Sequence, residues 1–353
     1  MSSILKCSTG KRVLDKCVFS LSPLCGAAFG ASLHFEQNGT TQVIAAAAEA
    51  QSLDLPNALY DAGGLLVIPD MLDIASEPEL LVRLSRLFGP KVDNYSHMTT
   101  REGTMSKSKR NCHVDVPEIL LVSNVPPCNR RPPQLPNPPL TAEGNLPTQF
   151  PHRRGWHTDQ SFRKIPPDVS LFYAVREAPR GQGQTLFADG SAAYNSLPSS
   201  LKESINNLHG IHAMPGAGRS ERAVKSGEKP LFLDAHQLPK HHPIVRLHPV
   251  TGKRALYLCD TGQMDWVDGP FFGMKPGVKG DAARLLYQLM CHYTQPKYTY
   301  THNWKRGDLI IYDNRSLAHS ATWYDASKHE RVMWRTTVSG NPGSAFTDGE
   351  CSS

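Results

Sequence analysis

The sequence predicts a mainly β fold with flanking helices, a β-sandwich of the jelly-roll kind. Three observations carry that expectation. From residue 170 onward, short strand-like runs recur, punctuated by Gly, Pro and Asn, which is the pattern of sandwiches and jelly rolls. Proline is abundant, 28 of 353 residues, and its missing amide and fixed φ exclude a long-helix architecture. Helical periodicity is confined to a few isolated patches.

The elements follow in order. Residues 17–35 read as short extended segments around Ser22-Pro23 and Gly26, and the Ala-rich stretch 42–51 reads as helix. Leu65-Leu66-Val67-Ile68 is a short buried strand stopped by Pro69. Over 77–88, Leu80, Leu81, Leu84 and Leu87-Phe88 fall at the i, i+3, i+4, i+7 spacing of an amphipathic helix. Ile119–Val122 is another short strand. Between Pro126 and Pro151 stand nine prolines, so this stretch is neither helix nor central strand. A loop of that length inside a compact domain is functional or disordered; because it runs straight into Trp156-His157, residues 126–151 are expected to form an active-site lid. Strands are then expected at Ser170–Val175, Gln184–Phe187, Ile244–Leu247, Ala255–Leu258, Lys297–His302, Asp308–Tyr312 and Arg331–Ser339, with helices at Leu197–Leu208 and Lys279–Cys291. Length alone suggests about two domains. The order of motifs argues for one, 18–342, with a short leader over 1–17 and a tail over 343–353.

Composition narrows the function. With 39% hydrophobic and 20% charged residues the chain is globular rather than disordered. The formal charge of +6 is mild and shows no Lys/Arg stripe, so a nucleic-acid partner is not expected; the surplus suits a pocket for small anionic molecules. The most aliphatic run, Val43–Ala48, falls far short of the ~20 apolar residues that span a bilayer, so no membrane partner is expected. Lys6, Lys11, Arg12 and Lys16 are not followed by an apolar core, which argues against a secretory signal. A cytoplasmic location is expected, with a short organelle-targeting leader left open. Eight cysteines form no CxxC and read as free thiols. Homo-oligomerisation is left open.

The 15 histidines invite a search for metal ligands. His157-Thr158-Asp159 is the sharpest candidate. On a strand, residues i and i+2 share a face, so an imidazole and a carboxylate can take adjacent positions on one metal, with a third ligand from elsewhere. A 2-His-1-carboxylate set leaves coordination positions open for other ligands. The pattern arises by chance too: His113-Val114-Asp115 is a second copy, assigned to the surface or to a substrate rim. For any single HxD the alternative is a solvated histidine beside a capping aspartate.

Context lifts the first copy. Trp156-His157-Thr158-Asp159-Gln160-Ser161-Phe162 leads into Pro166-Pro167, Ser170-Leu171-Phe172-Tyr173 and Gly183-Gln184-Thr185-Leu186-Phe187-Ala188-Asp189. Downstream come His248-Pro249-Val250-Thr251-Gly252-Lys253, Trp304-Lys305-Arg306-Gly307-Asp308, Asp313-Asn314-Arg315, His319 and Arg331-Val332-Met333-Trp334-Arg335. From about residue 18 to 340 the chain resembles the taurine dioxygenase-like (TauD/TfdA) family of Fe(II)/2-oxoglutarate-dependent oxygenases. The resemblance implies a double-stranded β-helix, the cupin-like jelly roll. It implies His157, Asp159 and His319 as ligands of Fe(II), with 2-oxoglutarate as cosubstrate and O2 as oxidant. It implies Arg331, with Thr185, as the grip on the cosubstrate's far carboxylate, a role that suits a guanidinium because it donates two parallel bonds. The presence of Asp159 argues against a halogenase, which replaces that ligand with a small residue.

The resemblance further implies substrate contacts at Arg335, Arg153, Asn94, Tyr95 and His97. Arg335 shares a strand face with Arg331 by its even spacing; for Arg153, within His152-Arg153-Arg154, a solvated charge run is the alternative. The implied reaction oxidises an unactivated C–H bond of a small anionic metabolite, with 2-oxoglutarate released as succinate. Hydroxylation is the expected outcome and ring closure or desaturation the alternative. A zinc hydrolase on the same ligand set would have no use for Arg331, and a non-catalytic binding protein would show no turnover although every metal position is intact.

Overall fold

The computed structural model describes residues 12–14, 17–35, 41, 44–45, 54–96, 111–134, 149, 155–260 and 262–340. The first strands are β1 (Arg12–Leu14), β2 (Cys17–Pro23) and β3 (Ala31–Phe35), followed by α1 (Asp54–Asp61), β4 (Leu65–Ile68), α2 (Glu79–Ser85), β5 (Lys91–Val92) and β6 (Leu120–Ser123). After the proline-rich stretch come β7 (Val169–Arg176), β8 (Thr185–Asp189), α3 (Gly190–Asn195), α4 (Ser199–Ile205), β9 (His209–His212), α5 (Glu221–Lys225), β10 (Lys240–Pro243), β11 (Val245–Leu247) and β12 (Arg254–Leu256). The chain closes with α6 (Asp281–Tyr293), β13 (Thr299–His302), β14 (Leu309–Asp313), β15 (Leu317–Ala321) and β16 (Val332–Ser339).

A nine-stranded sheet runs β1-β2-β3-β4-β14-β7-β16-β5, with β6 also paired to β16, and a three-stranded sheet runs β13-β8-β15. The two sheets meet across an inner core. Leu65, Val67, Phe172, Ala174, Ile310, Tyr312 and Met333 of the large sheet pack there with Phe187 and Leu317 of the small one. The alternate residues of the same strands, among them Leu66, Ile68, Leu171, Tyr173, Leu309, Ile311 and Trp334, face outward beneath Leu55, Leu59, Leu80, Leu81 and Leu84 of α1 and α2. On the small sheet, Leu186, Ala188 and Ala318 face Leu286, Leu289 and Met290 of α6. Strands covered on both faces need apolar side chains at every position. That is why β4, β7 and β14 read as continuous hydrophobic runs rather than as alternating ones.

Most strands expected from the sequence are present within a residue or two. The helix expected over 77–88 is shorter, Glu79–Ser85, because the chain leaves α-geometry before Phe88, which still buries fully. The helix expected over 42–51 is described only at Thr41, Ile44 and Ala45; the rest lies outside the described residues. One expectation is corrected: His157-Thr158-Asp159 is not a strand. His157 makes a single antiparallel bridge to His319, and Asp159 already lies in the turn that follows. Strand β15 went unpredicted, since Leu317-Ala318-His319-Ser320-Ala321 carries too few large apolar residues to signal burial. Among the described residues, Cys25, Cys112, Cys128, Cys259 and Cys291 are free thiols, and no helix is long and apolar enough to cross a membrane.

The start of α3 shows how closely the two sides of the small sheet are packed. Asp189 caps it, accepting from the amides of Ser191 and Ala192 at 2.8 and 3.0 Å. At Gly190 an added Cβ would stand 2.6 Å from the Leu256 carbonyl oxygen and 2.8 Å from that of Ser316. Both are backbone atoms, so relief requires moving strands. Gly190→Ala is therefore expected to destabilise the protein by about 1–3 kcal/mol, the usual cost of overpacking. Urea denaturation measures this, and an unchanged midpoint would show that the turn relaxes freely.

Candidate metal centre

His157 and His319 belong to segments far apart in sequence, and two backbone bonds hold them opposite one another. The His157 amide donates to the His319 carbonyl at 2.9 Å, and the His319 amide donates back at 2.8 Å. Directly opposed residues present their side chains on one face, and the two imidazole centroids lie 4.1 Å apart. The turn after His157 brings Asp159 to the same point. One ligand atom each from His157, Asp159 and His319 lie within 4.8 Å of one another, and this is the sole such cluster found among the described residues.

Asn314 fixes that turn. Its side-chain oxygen accepts the Asp159 amide at 2.6 Å, and its Nδ2 donates to the carbonyls of Asp159 (3.0 Å) and Pro167 (2.9 Å). Asn314 is in turn held by the β14–β15 connection. There the Asp313 carboxylate accepts from His248 Nε2 (2.9 Å) and from the Arg315 backbone amide and guanidinium.

The Asp159 carboxylate is buried and fully engaged. Oδ2 accepts from Ser170 Oγ (2.8 Å) and from Tyr312 OH (2.6 Å). Oδ1 pairs with Arg335 Nη1 and lies 3.7 Å from His319 Nε2. Burial alone would raise its pKa. Arg335, His319 and His157, with the Tyr312 hydroxyl, outweigh burial and hold it below the usual carboxylate range. Burial, with the nearby Asp159 charge, keeps the Tyr312 phenol protonated and available as a donor. Burial also lowers both imidazoles, His319 the further because His157 adds repulsion. The His157 Nδ1–H donates to the Gly155 carbonyl at 2.7 Å, which leaves Nε2 as the ligand atom. Two neutral imidazoles beside an ionised carboxylate make the donor set that a divalent transition metal requires. The site thus fits a metal on its own chemistry; His319 Nδ1, moreover, is buried and has no hydrogen-bond partner.

A cavity of about 320 Å³ opens over these residues and continues to Arg331. Residues 331 and 335 share a face of the final strand region, as their spacing implies, and both line the cavity. Arg331 is 5% exposed, and its Nε and Nη2 have no partner. Its pKa falls to about 10, first because burial strips its water and then because Arg130 repels it. A buried guanidinium in that condition calls for an anion. Thr185 Oγ accepts the Trp304 indole N–H at 2.9 Å, so its own hydroxyl proton remains available to the cavity. Gly183 makes the room: a Cβ there would stand 3.1 Å from Arg331 Nε, at a backbone φ of +59°.

The remaining expected residues fall elsewhere. Asn94 and Tyr95 line a second cavity, of about 570 Å³, together with Gln160, Phe162 and Lys240. There the Tyr95 hydroxyl bonds Thr337 Oγ1 at 2.5 Å. Arg153 and His97 lie outside the described residues, as does most of the stretch 126–151. Arg130, Arg131, Pro132 and Pro133, from its beginning, wall the metal cavity. The second HxD copy stays apart: His113 Nδ1 accepts the Asp115 and Val116 amides at 3.3 Å, and its ring packs edge-on against Trp334. Ser170, Tyr312 and Asn314 had no role assigned from sequence, because nothing in a linear reading ties a strand serine 11 positions on, or a tyrosine and an asparagine 153 and 155 positions on, to Asp159.

Comparison with known proteins agrees with this geometry. Residues 21–337 match the family described as "Taurine catabolism dioxygenase TauD, TfdA family", and the chain belongs to that family. It is 31% identical over 195 residues to the (S)-phenoxypropionate/alpha-ketoglutarate-dioxygenase of Sphingobium herbicidovorans, covering 54% of this chain and 63% of that protein. It is 31% identical over 193 residues to pentalenolactone F synthase of Streptomyces arenae, covering 52% of this chain and 61% of the other. The chain thus spans about six tenths of the length of these curated relatives. Among solved structures, AAD-2 in complex with Mn(II) and N-oxalylglycine superposes with a TM-score of 0.61 at 25% identity, over 91% of this chain and 97% of that one. A taurine dioxygenase from Burkholderia xenovorans superposes with a TM-score of 0.61 at 23% identity, over 91% and 89% of the two chains. The fold is the cupin-like jelly roll.

Because Asn314 holds Asp159 by both its backbone amide and its carbonyl, Asn314→Ala is expected to weaken divalent-metal affinity by about 10–100-fold, the usual cost of losing a group that orients a ligand. Equilibrium dialysis against Mn(II) measures it. Undiminished affinity would show that Ser170, Tyr312 and Arg335 hold Asp159 unaided.

Proposed function

We propose that this protein is an Fe(II)/2-oxoglutarate-dependent dioxygenase that oxidises an unactivated C–H bond of a small anionic metabolite, carboxylate or amino-acid-derived. One observation carries the reading. A two-histidine, one-carboxylate donor set shares its cavity with a buried, unpartnered guanidinium, Arg331. A zinc hydrolase would use the first and has no need of the second. Family membership and the alpha-ketoglutarate dependence named for the Sphingobium relative support the same reading.

In this reading His157, Asp159 and His319 hold iron(II), and Arg331 with the Thr185 hydroxyl takes the far carboxylate of 2-oxoglutarate. The bound metal and cosubstrate supply the oxidising chemistry, consuming O2 and releasing succinate and carbon dioxide. The chain's own residues do the positioning. Ser170, Tyr312 and Arg335 keep Asp159 ionised and fix which oxygen faces the ligands. Phe172 flanks the Arg331 guanidinium, 5.8 Å from its ring centre, and keeps water from that side. Arg335 neutralises Asp159 through Nη1, while its Nε, buried and without a partner, offers a further bond to an anion in the cavity. Hydroxylation is the outcome proposed, with ring closure or desaturation as the alternative fate of the same oxidised carbon. The same reading takes 18–342 as one catalytic domain whose proline-rich segment covers the site.

Two outcomes are expected. His157→Ala and Asp159→Ala each abolish 2-oxoglutarate-dependent succinate release; Asp159→Ala also lowers the melting temperature, because Arg335 loses its buried partner. Normal succinate release by either variant would refute the ligand assignment. Arg331→Ala is expected to raise the KM for 2-oxoglutarate tenfold or more, the loss of a charge-assisted pair of about 1.5–3 kcal/mol. An unchanged KM would move the carboxylate partner elsewhere.

A further inference from the structure

We propose that Arg130 is the residue through which the metal cavity selects its substrate, by pairing with an oxyanion, carboxylate or sulfate, on the molecule to be oxidised. The inference rests on the dioxygenase reading and adds to it a second anion contact beside Arg335.

The placement of Arg130 is built rather than incidental. Beyond β6 the chain turns back on itself: the amides of Cys128 and Asn129 both donate to the Val125 carbonyl, at 3.1 and 3.0 Å, and Asn129 takes a left-handed φ of 47°. The Arg130 amide then donates to the Ser123 carbonyl at 2.7 Å, which pins the residue against the end of β6. Asn124 ties the same turn to the strand of the arginines, its Oδ1 accepting the Arg331 amide at 2.7 Å. Arg130 consequently stands over the cavity that holds His157, His319, Arg331 and Arg335.

Charge counting then singles it out. Four guanidiniums line this cavity, those of Arg130, Arg131, Arg331 and Arg335, and no carboxylate lines it with them. Asp159 lies just behind and is engaged by Arg335. Imidazoles that ligate a metal are neutral. The 2-oxoglutarate dianion sets one carboxylate on the metal and the other on Arg331, so it leaves no charge for the remaining guanidiniums. Arg130 and Arg131 are left without a carboxylate partner among the described residues. Of these two, Arg130 is the one whose backbone is pinned to the end of β6, through its amide bond to the Ser123 carbonyl. A guanidinium held on the wall of the cavity that His157 and His319 also line takes an oxyanion bidentately and orients what is attached to it.

The cosubstrate also carries a carboxylate at its metal end, so the test separates the two sources. Zn(II)-substituted protein, which does not turn over, is titrated calorimetrically in two arms. The first arm uses 2-oxoglutarate. The second uses phenoxyacetate and hexyl sulfate, with N-oxalylglycine saturating the cosubstrate position. Wild type, Arg130→Gln and Arg130→Lys are compared. Arg130→Gln is expected to bind 2-oxoglutarate as wild type does and to bind the tighter of the two anions tenfold or more weakly, with Arg130→Lys recovering part of the loss. Equal anion affinity in wild type and Arg130→Gln, or no anion binding by wild type, overturns the proposal. Weakened 2-oxoglutarate binding in Arg130→Gln overturns it as well, assigning the residue to the cosubstrate. Wild type that fails to bind 2-oxoglutarate in the first arm sinks the dioxygenase reading itself, a distinct result.

Discussion

Burying one carboxylate organises this protein's centre. Asp159 is almost without solvent, and an ionised group so placed must be met by donors on every side. Those donors come from three neighbouring strands of the large sheet: Ser170 from β7, Tyr312 from β14 and Arg335 from β16. Asn314, just past β14, grips the backbone of the same residue. The strand order β14-β7-β16 is thus written into the surroundings of one side chain. A carboxylate held in this way stays ionised and oriented by the protein's own donors.

The layered packing explains why the site lies where it does. Strands covered on both faces spend nearly every position on apolar contacts, and the polar residues of the inner face gather where a cavity opens. Thr185, His319, Tyr312, Arg331 and Arg335 all line one cavity, while Leu65, Phe187, Ile310 and Leu317 fill the neighbouring inner layer. The backbone bridge between His157 and His319 joins the segment entering the large sheet to the small sheet at that place. The candidate ligands His157, Asp159 and His319 accordingly span the sandwich, and their geometry and the sheet-to-sheet packing become a single constraint.

How much of this was legible in the sequence depended on the kind of signal. Buried strands such as Leu65–Ile68 and Leu309–Asp313 announce themselves through unbroken apolar runs, and the amphipathic patch at Leu80–Leu84 announces a helix. Strand β15 did not: it is buried through small residues and one histidine, and its place in the sheet is set by partners distant in sequence. His157 and Asp159 were singled out as ligands on a strand argument that does not hold, since the segment turns after a single bridge; what unites them is Asn314, which no local pattern reveals. That Arg331 and Arg335 share a face was legible from their even spacing, because the strand region keeps its alternation. Asn94 and Tyr95 lie along a different cavity for a tertiary reason: Gln160, at a left-handed φ of 52°, leads the chain away from the ligands and lines their cavity instead.

The division of labour between strand and turn has an evolutionary side. Arg331 and Arg335 belong to the β16 region, where neighbours constrain them closely: a methyl group on Gly183 would already crowd the first, and the second neutralises Asp159. Arg130 stands on a turn anchored by backbone bonds, which most side chains can form equally well. On the proposed reading, substitutions at 130 or 131 alter which molecules enter while leaving the residues assigned to metal and cosubstrate untouched. A fold arranged in this way can drift from one substrate to another by single steps, each passing through a stable and chemically competent intermediate sequence.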